Sequence, residues 1–475
     1  MFDTPPMLAT SIDRCRICGN PHLLPIIDLG TQALTGRFPK PGSEPVPSGP
    51  VFLVLCAPQP GQDACGHLQL AHDYALTELY GDTYGYRSSV TSTMVRHLET
   101  KAANLIGLTR PGPGDAILDI GCNDGTMLGF YGGLGARRIG IDPSSGQFAE
   151  DYPDDIELVV DFFSADRVRA AVGEVKFKIV TSIAMFYDLA DPLSFMRDVR
   201  AVLAPDGVWE MEQSYMPTML SALAYDTLCH EHLSYYRLRQ IAWMAERADL
   251  TILDVGLNDI NGGSFRVLLA PKGTPYPRNA AAIAQFEAYE RDAGFDSEMP
   301  FHDFARRIVR HRDIVRAFFD RVRAEGKSVM GYGASTKGNV VIQYCGLTKA
   351  DVPAIMERYP RKFGLETPGS AIPIISEEEG RAQKPDYLFV FPWHFRDEMI
   401  VREAAYLESG GRLVFSLPRF EIVGPGGRVE ESIEVAAIGA RRSAARSRRA
   451  ASPRPVPDLA PIRKAGSRSR FRDFV

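Results

Sequence analysis

The 475-residue chain contains only 3 Trp and 7 Cys. It also lacks a long, uninterrupted apolar run. Because a membrane-spanning helix needs about 20 predominantly apolar residues, we expect no membrane span and no membrane partner. Residues 1–15, MFDTPPMLATSIDRC, lack the charged segment and the apolar stretch of a secretory signal, so we expect a cytoplasmic location.

Acidic residues are scarce at the C-terminus. Residues 441–475 carry 11 Lys and Arg against 2 Asp and Glu, although the whole chain has a net charge of -5. This Arg-, Ser-, Ala- and Pro-rich composition cannot form an apolar core, and it predicts a disordered basic tail over residues 430–475. A nucleic-acid or membrane-surface contact through the tail stays open, but the acidic remainder of the chain argues against nucleic acid as a partner.

Four of the cysteines lie in one Pro- and Gly-rich segment. Cys15-x2-Cys18 is followed by Cys56 and Cys65. Two cysteines separated by two residues are typical of a zinc knuckle, and four thiolates complete a tetrahedral site. We predict a structural zinc ion in a domain over residues 10–75. His67 as a substitute ligand, two disulfides and free thiols are the alternatives.

Residues 116–125, AILDIGCNDG, form an apolar strand that runs into a glycine loop. A second predicted strand, residues 137–141, ends at Asp142, and an acid about 20 residues past such a loop is typical of ribose binding. The Gly-x-x-x-Gly spacing and the nearby carboxylates disfavour a pyrophosphate and suit the sulfonium and amino acid of S-adenosylmethionine (SAM). We predict SAM contacts by Asp119, Gly121, Asn123, Asp124, Gly125, Asp142, Asp161 and Phe162.

Strands and helices alternate through residues 111–270, which predicts a parallel sheet with helices on both faces. A long amphipathic helix over residues 300–325 precedes a second strand–glycine loop–helix unit at residues 327–344. We therefore predict an α/β protein with a doubly wound sheet of the class I SAM-methyltransferase type over residues 76–300. A Rossmann-like domain over residues 301–425 follows it.

The densest group of acid and base side chains is Cys229-His230-Glu231-His232, after the fifth predicted strand. Histidine titrates near neutral pH, and open α/β sheets bind ligands at the carboxyl ends of their strands. These residues are therefore candidates for acid–base catalysis. A solvated polar stretch, or a metal site made by Cys229, His230 and His232, is the alternative.

Three further motifs are candidates for ligand contacts. The loop at residues 331–339 contains a lysine and two hydroxyl groups, which suit a phosphate, and the loop at residues 261–266 contains two glycines and an arginine. A tight strand–helix turn and a hairpin turn are the simpler interpretations of these two loops. The aromatic turn at residues 84–89 is the third motif. The predicted substrate contacts are Asn261, Arg266, Gly333, Lys337 and Asn339.

In this order the motifs resemble those of the sugar-nucleotide C-methyltransferases that carry an N-terminal zinc-binding domain. Besides the four cysteines, the matching motifs are YGYRSS at 84–89, LDIGCNDG at 118–125, HEHLSYY at 230–236, NGGSFR at 261–266, GYGASTKGN at 331–339 and PWHF at 392–395. The resemblance spans about residues 12–425. The chain departs from it at Cys229 and Asp188, where the family carries Tyr and His.

The resemblance implies a nucleotide-linked 4-keto-6-deoxysugar as substrate, held between the SAM-binding and Rossmann-like domains. It implies that His232, with Glu231 beside it, removes a proton next to the ketone, and that the enolate carbon then attacks the SAM methyl group. His230 and Tyr86 complete the predicted catalytic set, with Tyr86 donating to the enolate oxygen or lining the SAM pocket. An O- or N-methyltransferase, a nucleic-acid-modifying protein, a nicotinamide oxidoreductase and a non-catalytic sugar-nucleotide protein are the alternatives.

Overall fold

The computed structural model of the protein describes residues 9–59, 64–75, 79 and 87–435. These residues form four β-sheets, two of them with seven strands each. Tyr86 and most of the predicted basic tail lie outside the described residues. Among the described residues, none of the helices combines the length and the apolar composition that crossing a membrane requires.

The N-terminal unit, residues 9–75, is a small antiparallel β-structure. Its longest strands, β2 and β3, pair with each other, β3 also pairs with β4, and β1 pairs with β5. Gly19, which follows the first cysteine pair, takes a positive φ of 71° and donates its N–H to the Cys15 carbonyl, so the chain turns tightly there. The strands are β1 (Ala9–Ser11), β2 (Leu23–Ala33), β3 (Ser48–Cys56), β4 (Leu68–Leu70) and β5 (His72–Tyr74).

The central unit, residues 87–298, contains a seven-stranded sheet in the order β12-β13-β10-β9-β6-β7-β8. The strands from β8 to β10 in this order are parallel, and β13 runs antiparallel to both of its neighbours. This is the predicted doubly wound sheet. Its strands are β6 (Ala116–Ile120), β7 (Arg137–Ile141), β8 (Ile156–Val159), β9 (Phe177–Ile183), β10 (Leu203–Ser214), β12 (Leu250–Asn258) and β13 (Ser264–Pro271).

The helices of the central unit begin where the sequence supplies N-caps. Asp191 accepts a hydrogen bond from the Ser194 N–H at the start of α4, with Pro192 as the first helical residue. Thr91 and Ser164 cap α1 and α3 in the same way. The helices are α1 (Ser92–Thr109), α2 (Thr126–Gly129), α3 (Ala165–Val172), α4 (Pro192–Val202), α5 (Met216–Ser221), α6 (Leu238–Arg247) and α7 (Ala280–Asp292).

The C-terminal unit, residues 299–435, begins with α8 (Met299–Ala324) and contains the second seven-stranded sheet, β16-β15-β14-β17-β18-β19-β20. Its first five strands in this order are parallel, and β19 and β20 are antiparallel. The strands are β14 (Val329–Tyr332), β15 (Ile355–Glu357), β16 (Ile374–Ser376), β17 (Tyr387–Val390), β18 (Arg412–Phe415), β19 (Phe420–Val423) and β20 (Val429–Ile433). The remaining helices are α9 (Thr336–Tyr344), α10 (Glu377–Ala382), α11 (Arg396–Arg402) and α12 (Ala404–Glu408).

The C-terminal sheet continues past residue 425, where the sequence analysis ended the Rossmann-like domain. Strand β20 pairs with β19, and four of its five residues lie in the segment predicted as the basic tail. An edge strand needs only one apolar face, and ion pairs of Glu430 with Arg412 and of Glu431 with Arg321 anchor its polar residues. The local composition therefore did not predict β20, because its pairing with β19 stabilises it.

Two features of the packing join the three units. Strand β11 (Ser234–Tyr235), from the central unit, pairs with β4 and extends the sheet of the N-terminal unit. Leu53, Leu228 and Phe389, one from each unit, belong to one continuous buried apolar cluster. The cavity described next is lined by residues of all three units.

Candidate active site

A cavity of about 710 Å³ lies at the carboxyl ends of the central parallel strands, where doubly wound sheets bind ligands. Its volume falls within the range of small-molecule sites. Gly36 and Phe38 come from the N-terminal unit, and Ser335 from the C-terminal unit. The predicted site residues that line it are Asp119, Gly121, Asn123, Asp142, Phe162, Glu231, His232 and Lys337.

The glycine loop after β6 forms one end of the cavity. Gly121 has a positive φ of 75°, and the Asn123 N–H donates to Asp142 Oδ2 at 2.9 Å. Asp142 Oδ1 accepts from the N–H and the hydroxyl of Ser144 at 2.6 and 2.7 Å. Since each carboxylate oxygen can accept two hydrogen bonds, Asp142 Oδ2 keeps one acceptor position, which a ribose hydroxyl could fill.

Asp119, the last residue but one of β6, lies in the cavity wall. The Thr181 hydroxyl donates to its Oδ1 at 2.5 Å, and the residue is only 4% exposed. Burial raises the pKa of Asp119 to about 7. A buried carboxyl group in this position favours a cation, such as the sulfonium or ammonium group of SAM.

Three predicted cofactor residues do not line the cavity. Asp124 accepts the Ser89 N–H at 3.0 Å and pairs with Arg87, so it holds the segment before α1. Gly125 lies against the Tyr152 ring, where an added Cβ would be 2.7 Å from the nearest ring carbon. Asp161 pairs with Arg167 at the surface, while its neighbour Phe162 reaches the cavity. The structure places these three residues in contacts within the central unit, and their contacts with SAM stay predictions.

The predicted catalytic segment contributes Glu231 and His232 to the cavity wall. His232 Nδ1 donates to the Thr227 carbonyl at 2.9 Å, which leaves Nε2 as the unprotonated nitrogen of the neutral ring. Burial lowers the pKa of His232, the Lys337 ammonium acts in the same direction, and the Glu231 carboxylate opposes them. A neutral imidazole with a free Nε2 is a competent general base.

His230 does not line the cavity, although the sequence analysis placed it in the catalytic set. Its ring is buried against Tyr74, and Nε2 donates to the Gly49 carbonyl at 3.1 Å. The two histidines therefore have different surroundings, because the chain turns between them, with the His232 N–H donating to the Cys229 carbonyl at 3.0 Å.

Basic side chains of the C-terminal unit line the opposite part of the cavity. Lys337 is joined there by Arg361 and Lys362. Lys362 donates to the Ala334 carbonyl at 2.7 Å and lies 4.4 Å from the centre of the Phe38 ring. Burial lowers the pKa of Lys362. This part of the cavity suits a phosphorylated ligand, because it combines cations with an aromatic face.

Among the predicted substrate residues, only Lys337 lines this cavity. Gly333, at a φ of 83°, lies against Pro392, where a Cβ would come within 2.7 Å. Asn339 donates to the Thr35 carbonyl at 2.7 Å, so it joins α9 to the N-terminal unit. Arg266 pairs with Asp254 across the hairpin. Asn261 belongs to the turn Ile260–Gly262, and its side chain lies outside the described residues.

The sequence analysis missed Phe38, Arg361 and Lys362. The sequence does contain a signal for Arg361 and Lys362. They follow β15, which pairs with β14, and β14 leads into the second glycine loop. The carboxyl ends of adjacent parallel strands meet at one edge of a sheet. Phe38 carries no comparable signal, since only the packing of the N-terminal unit brings it to the cavity.

The four predicted zinc ligands come together in the N-terminal unit. Their sulfur atoms lie within 4.8 Å of one another, with Sγ–Sγ distances of 3.6 Å for Cys15–Cys65 and 3.5 Å for Cys18–Cys56. Tetrahedral zinc with bonds of about 2.3 Å separates its sulfur ligands by about 3.8 Å, so the cluster fits zinc. The alternative ligand His67 instead contacts the Ser234 hydroxyl at 3.0 Å. Four cysteines complete the coordination and give the ion a structural role.

Three protein-family models match successive parts of the chain. Residues 15–80 match a zinc binding domain, residues 94–255 a methyltransferase domain, and residues 259–418 a C-methyltransferase C-terminal domain. With the strand order of the central sheet, these matches show a class I SAM-methyltransferase fold and a SAM-dependent enzyme with a zinc-binding domain. The predicted fold class, cofactor and metal are confirmed.

The chain is also similar to individual proteins. It is 31% identical over 421 residues to the C-methyltransferase NovU of Streptomyces niveus. The aligned region covers 87% of this chain and 97% of that protein. It is 29% identical over 121 residues to a ubiquinone biosynthesis O-methyltransferase of Azorhizobium caulinodans, covering 25% of this chain and 46% of that protein. Among solved structures, the PH0226 protein of Pyrococcus horikoshii OT3 aligns with a TM-score of 0.32 and 16% identity, over 40% of this chain and 100% of that one.

Proposed function

The chain belongs to the family of SAM-dependent C-methyltransferases, and we propose that it methylates a carbon atom of a nucleotide-linked 4-keto-6-deoxysugar. The observation that carries this proposal is His232, a neutral base facing a cavity that also contains the cofactor loop. Methyl transfer to carbon needs a base to create the carbon nucleophile. Transfer to a hydroxyl or amine starts from an atom that is already nucleophilic.

The cofactor end of the cavity is assigned to Asp119, Asp142 and Phe162. When bound there, SAM supplies an electrophilic methyl group. Asp119 offers a carboxylate to its positive charge, Asp142 accepts hydrogen bonds from the ribose, and the Phe162 ring offers an apolar face to the adenine. The role of Asp142 uses its remaining acceptor position, and the role of Asp119 uses its burial.

The nucleotide diphosphate of the substrate is assigned to the basic part of the cavity. Lys337, Arg361 and Lys362 offer positive charge there, and Ser335 caps the N-terminus of α9, which favours negative charge. Phe38 offers a ring face to the nucleoside base. In this proposal the sugar lies between the diphosphate contacts and the glycine loop, near His232.

The chain's residues then carry out a proton transfer. His232 Nε2 accepts the proton from the carbon next to the ketone, and the electron pair of that C–H bond moves into the enolate. The enolate carbon forms a bond to the methyl group as the sulfur–methyl bond breaks, which yields S-adenosylhomocysteine. Glu231, beside the imidazolium, stabilises its positive charge. The bound geometry aligns the reacting atoms, which is where much of the rate enhancement arises.

The test is mass spectrometry of the protein incubated in heavy water with SAM and a panel of nucleotide-linked 4-keto-6-deoxysugars. We expect gain of one methyl group on carbon in the product, and deuterium next to the ketone in substrate that has been deprotonated and reprotonated without methylation. His232→Gln should abolish both signals and leave the dissociation constant of SAM unchanged, because the ring does not belong to the cofactor end. His302→Gln, at an exposed position of α8, is the matched control and should behave as the wild type.

Two outcomes would contradict the proposal. A methyl group found on oxygen or nitrogen would identify an O- or N-methyltransferase. Deuterium exchange that persists in His232→Gln would mean that another residue is the base. Tyr86, which lies outside the described residues, stays a predicted donor to the enolate oxygen, and a cytoplasmic location also stays a prediction.

A further inference from the structure

The segment that carries Glu231 and His232 is hydrogen-bonded to the zinc-binding unit. Strand β11 follows His232 by one residue and pairs with β4 through Ser234–Gln69 and Tyr235–Leu68. The Leu70 N–H adds a hydrogen bond of 2.9 Å to the Leu233 carbonyl. The residues just after the proposed base are therefore an edge strand of the N-terminal sheet.

His67 connects this strand to the cysteine cluster. It lies two residues after the ligand Cys65, and its Nε2 is 3.0 Å from the Ser234 hydroxyl. Its ring packs against Tyr236 at a centroid distance of 4.9 Å, and its carbonyl accepts the N–H of the ligand Cys56 at 2.8 Å. His67 therefore contacts both a zinc ligand and the catalytic segment.

A second attachment lies on the other side of the base. His230 donates to the Gly49 carbonyl of β3, the strand that ends at the ligand Cys56. Between the two attachments, the backbone of Gly36 approaches so closely that an added Cβ would lie 3.3 Å from Glu231 Oε1. The Glu231–His232 pair is thus held at both ends and on one side by the N-terminal unit.

We infer that the zinc-binding unit positions the catalytic base through His67 and His230. This inference rests on the proposed function of His232. Zinc would fix the ends of β3 and β4 by holding Cys56 and Cys65, and these strands fix the segment that carries His232. His67 and His230 are positioning residues that do not touch substrate. A displacement of the base of about 1 Å can cost roughly 10²-fold in rate, so small losses of restraint should be visible in kcat.

The test compares variants on both sides of the His67–Ser234 contact. His67→Phe keeps a buried ring without a hydrogen-bonding nitrogen, Ser234→Ala removes the hydroxyl from the other partner, and His67→Gln restores a donor. We expect His67→Phe and Ser234→Ala to lower kcat about 10-fold or more, with unchanged zinc content and an unchanged dissociation constant of SAM. His67→Gln should recover most of the loss. His72→Gln, on β5 of the same unit, is the matched control.

A second measurement does not depend on the substrate. Amide hydrogen exchange, followed by mass spectrometry, should become faster in residues 229–236 of His67→Phe and of the wild type after zinc chelation. The peptide covering α4 should exchange as before, because α4 packs mainly against α3, α6 and β10 and not against the strands of the N-terminal unit. If the wild type fails to methylate any keto sugar, the proposed function fails, but this exchange result still decides the positioning role.

The inference is overturned if both variants keep wild-type kcat and wild-type exchange in residues 229–236. It is also overturned if kcat and SAM affinity fall together, because a general loss of stability would produce that result. If His67→Phe loses zinc, Ser234→Ala decides, since Ser234 lies outside the N-terminal unit.

Discussion

The charge of Asp119 should control how tightly the protein binds SAM. Burial raises its pKa from the ordinary value of 3.8 to about 7, and the side chain is almost fully inaccessible to solvent. A shift of this size corresponds to about 4 kcal/mol in favour of the neutral carboxyl group. The carboxyl group is therefore neutral below pH 7 and anionic above it in the protein without ligand.

The sign of the pH dependence follows from the charge of SAM. Its sulfonium group is positive at every pH, so it binds the anionic form of Asp119 better than the neutral form. If only the anionic form binds, the dissociation constant of SAM should rise about tenfold from pH 8 to pH 6. Asp119→Asn cannot ionise, so its SAM affinity should be weak and nearly constant over this range.

Isothermal titration calorimetry at pH 6, 7 and 8 would measure these dissociation constants. Repeating the titration at pH 7 in two buffers with different ionisation enthalpies should show release of about half a proton per SAM bound, because Asp119 is about half protonated at that pH. Asp198→Asn is the matched control, because burial also raises the pKa of Asp198 but this residue lies on α4. Equal affinities at pH 6 and pH 8 in the wild type, or the same slope in Asp119→Asn, would refute the reasoning.

Two further substitutions test the C-terminal unit. Trp393 Nε1 donates to the buried Asp226 at 2.8 Å, so Trp393→Phe should lower the free energy of unfolding in urea by about 1–3 kcal/mol. The loss should become smaller as the pH is lowered, because burial raises the pKa of Asp226 and protonation removes its charge. Arg361→Gln should raise the KM of the nucleotide sugar about 3- to 10-fold by removing a cation from the phosphate contacts, and leave the KM of SAM unchanged.

Each of these has a matched comparison. Trp243→Phe removes an indole from an exposed stacking contact with Arg247 and should cost less than Trp393→Phe. An equal cost would mean that the Asp226 contact contributes nothing. Arg358→Gln changes an exposed arginine close to Arg361 that does not line the cavity, and it should leave both KM values unchanged. Equal effects of the two arginine substitutions would contradict the phosphate assignment.

Features encoded by consecutive residues were predictable. Strand β7 has the predicted bounds and β6 ends at the predicted glycine loop, because an apolar run that ends in a glycine loop or an acid contains its own boundary signals. The zinc site was also predictable, because the thiolate chemistry and the Cys-x2-Cys spacing limit which ion can bind. The family membership expected from the combined motifs is confirmed by the similarity to NovU over most of the chain.

The orientation of individual polar side chains was less predictable. Asp124, Arg266 and Asn339 are as polar as the residues that line the cavity, yet they hold a loop, a hairpin and a unit interface. A motif specifies residue types at a spacing, and many of those residues support the loop instead of touching the ligand. Which residues do so depends on the path of the backbone and on its neighbours.

The sequence by itself therefore determined the fold class, the dependence on SAM and the four cysteines of the zinc site. Only the tertiary structure decided that His232 faces the cavity while His230 anchors to Gly49, and that Phe38, Arg361 and Lys362 join the site. The physical reason is that these contacts connect residues far apart in the chain. Strand pairing and core packing bring such residues together, and no local sequence pattern encodes that arrangement.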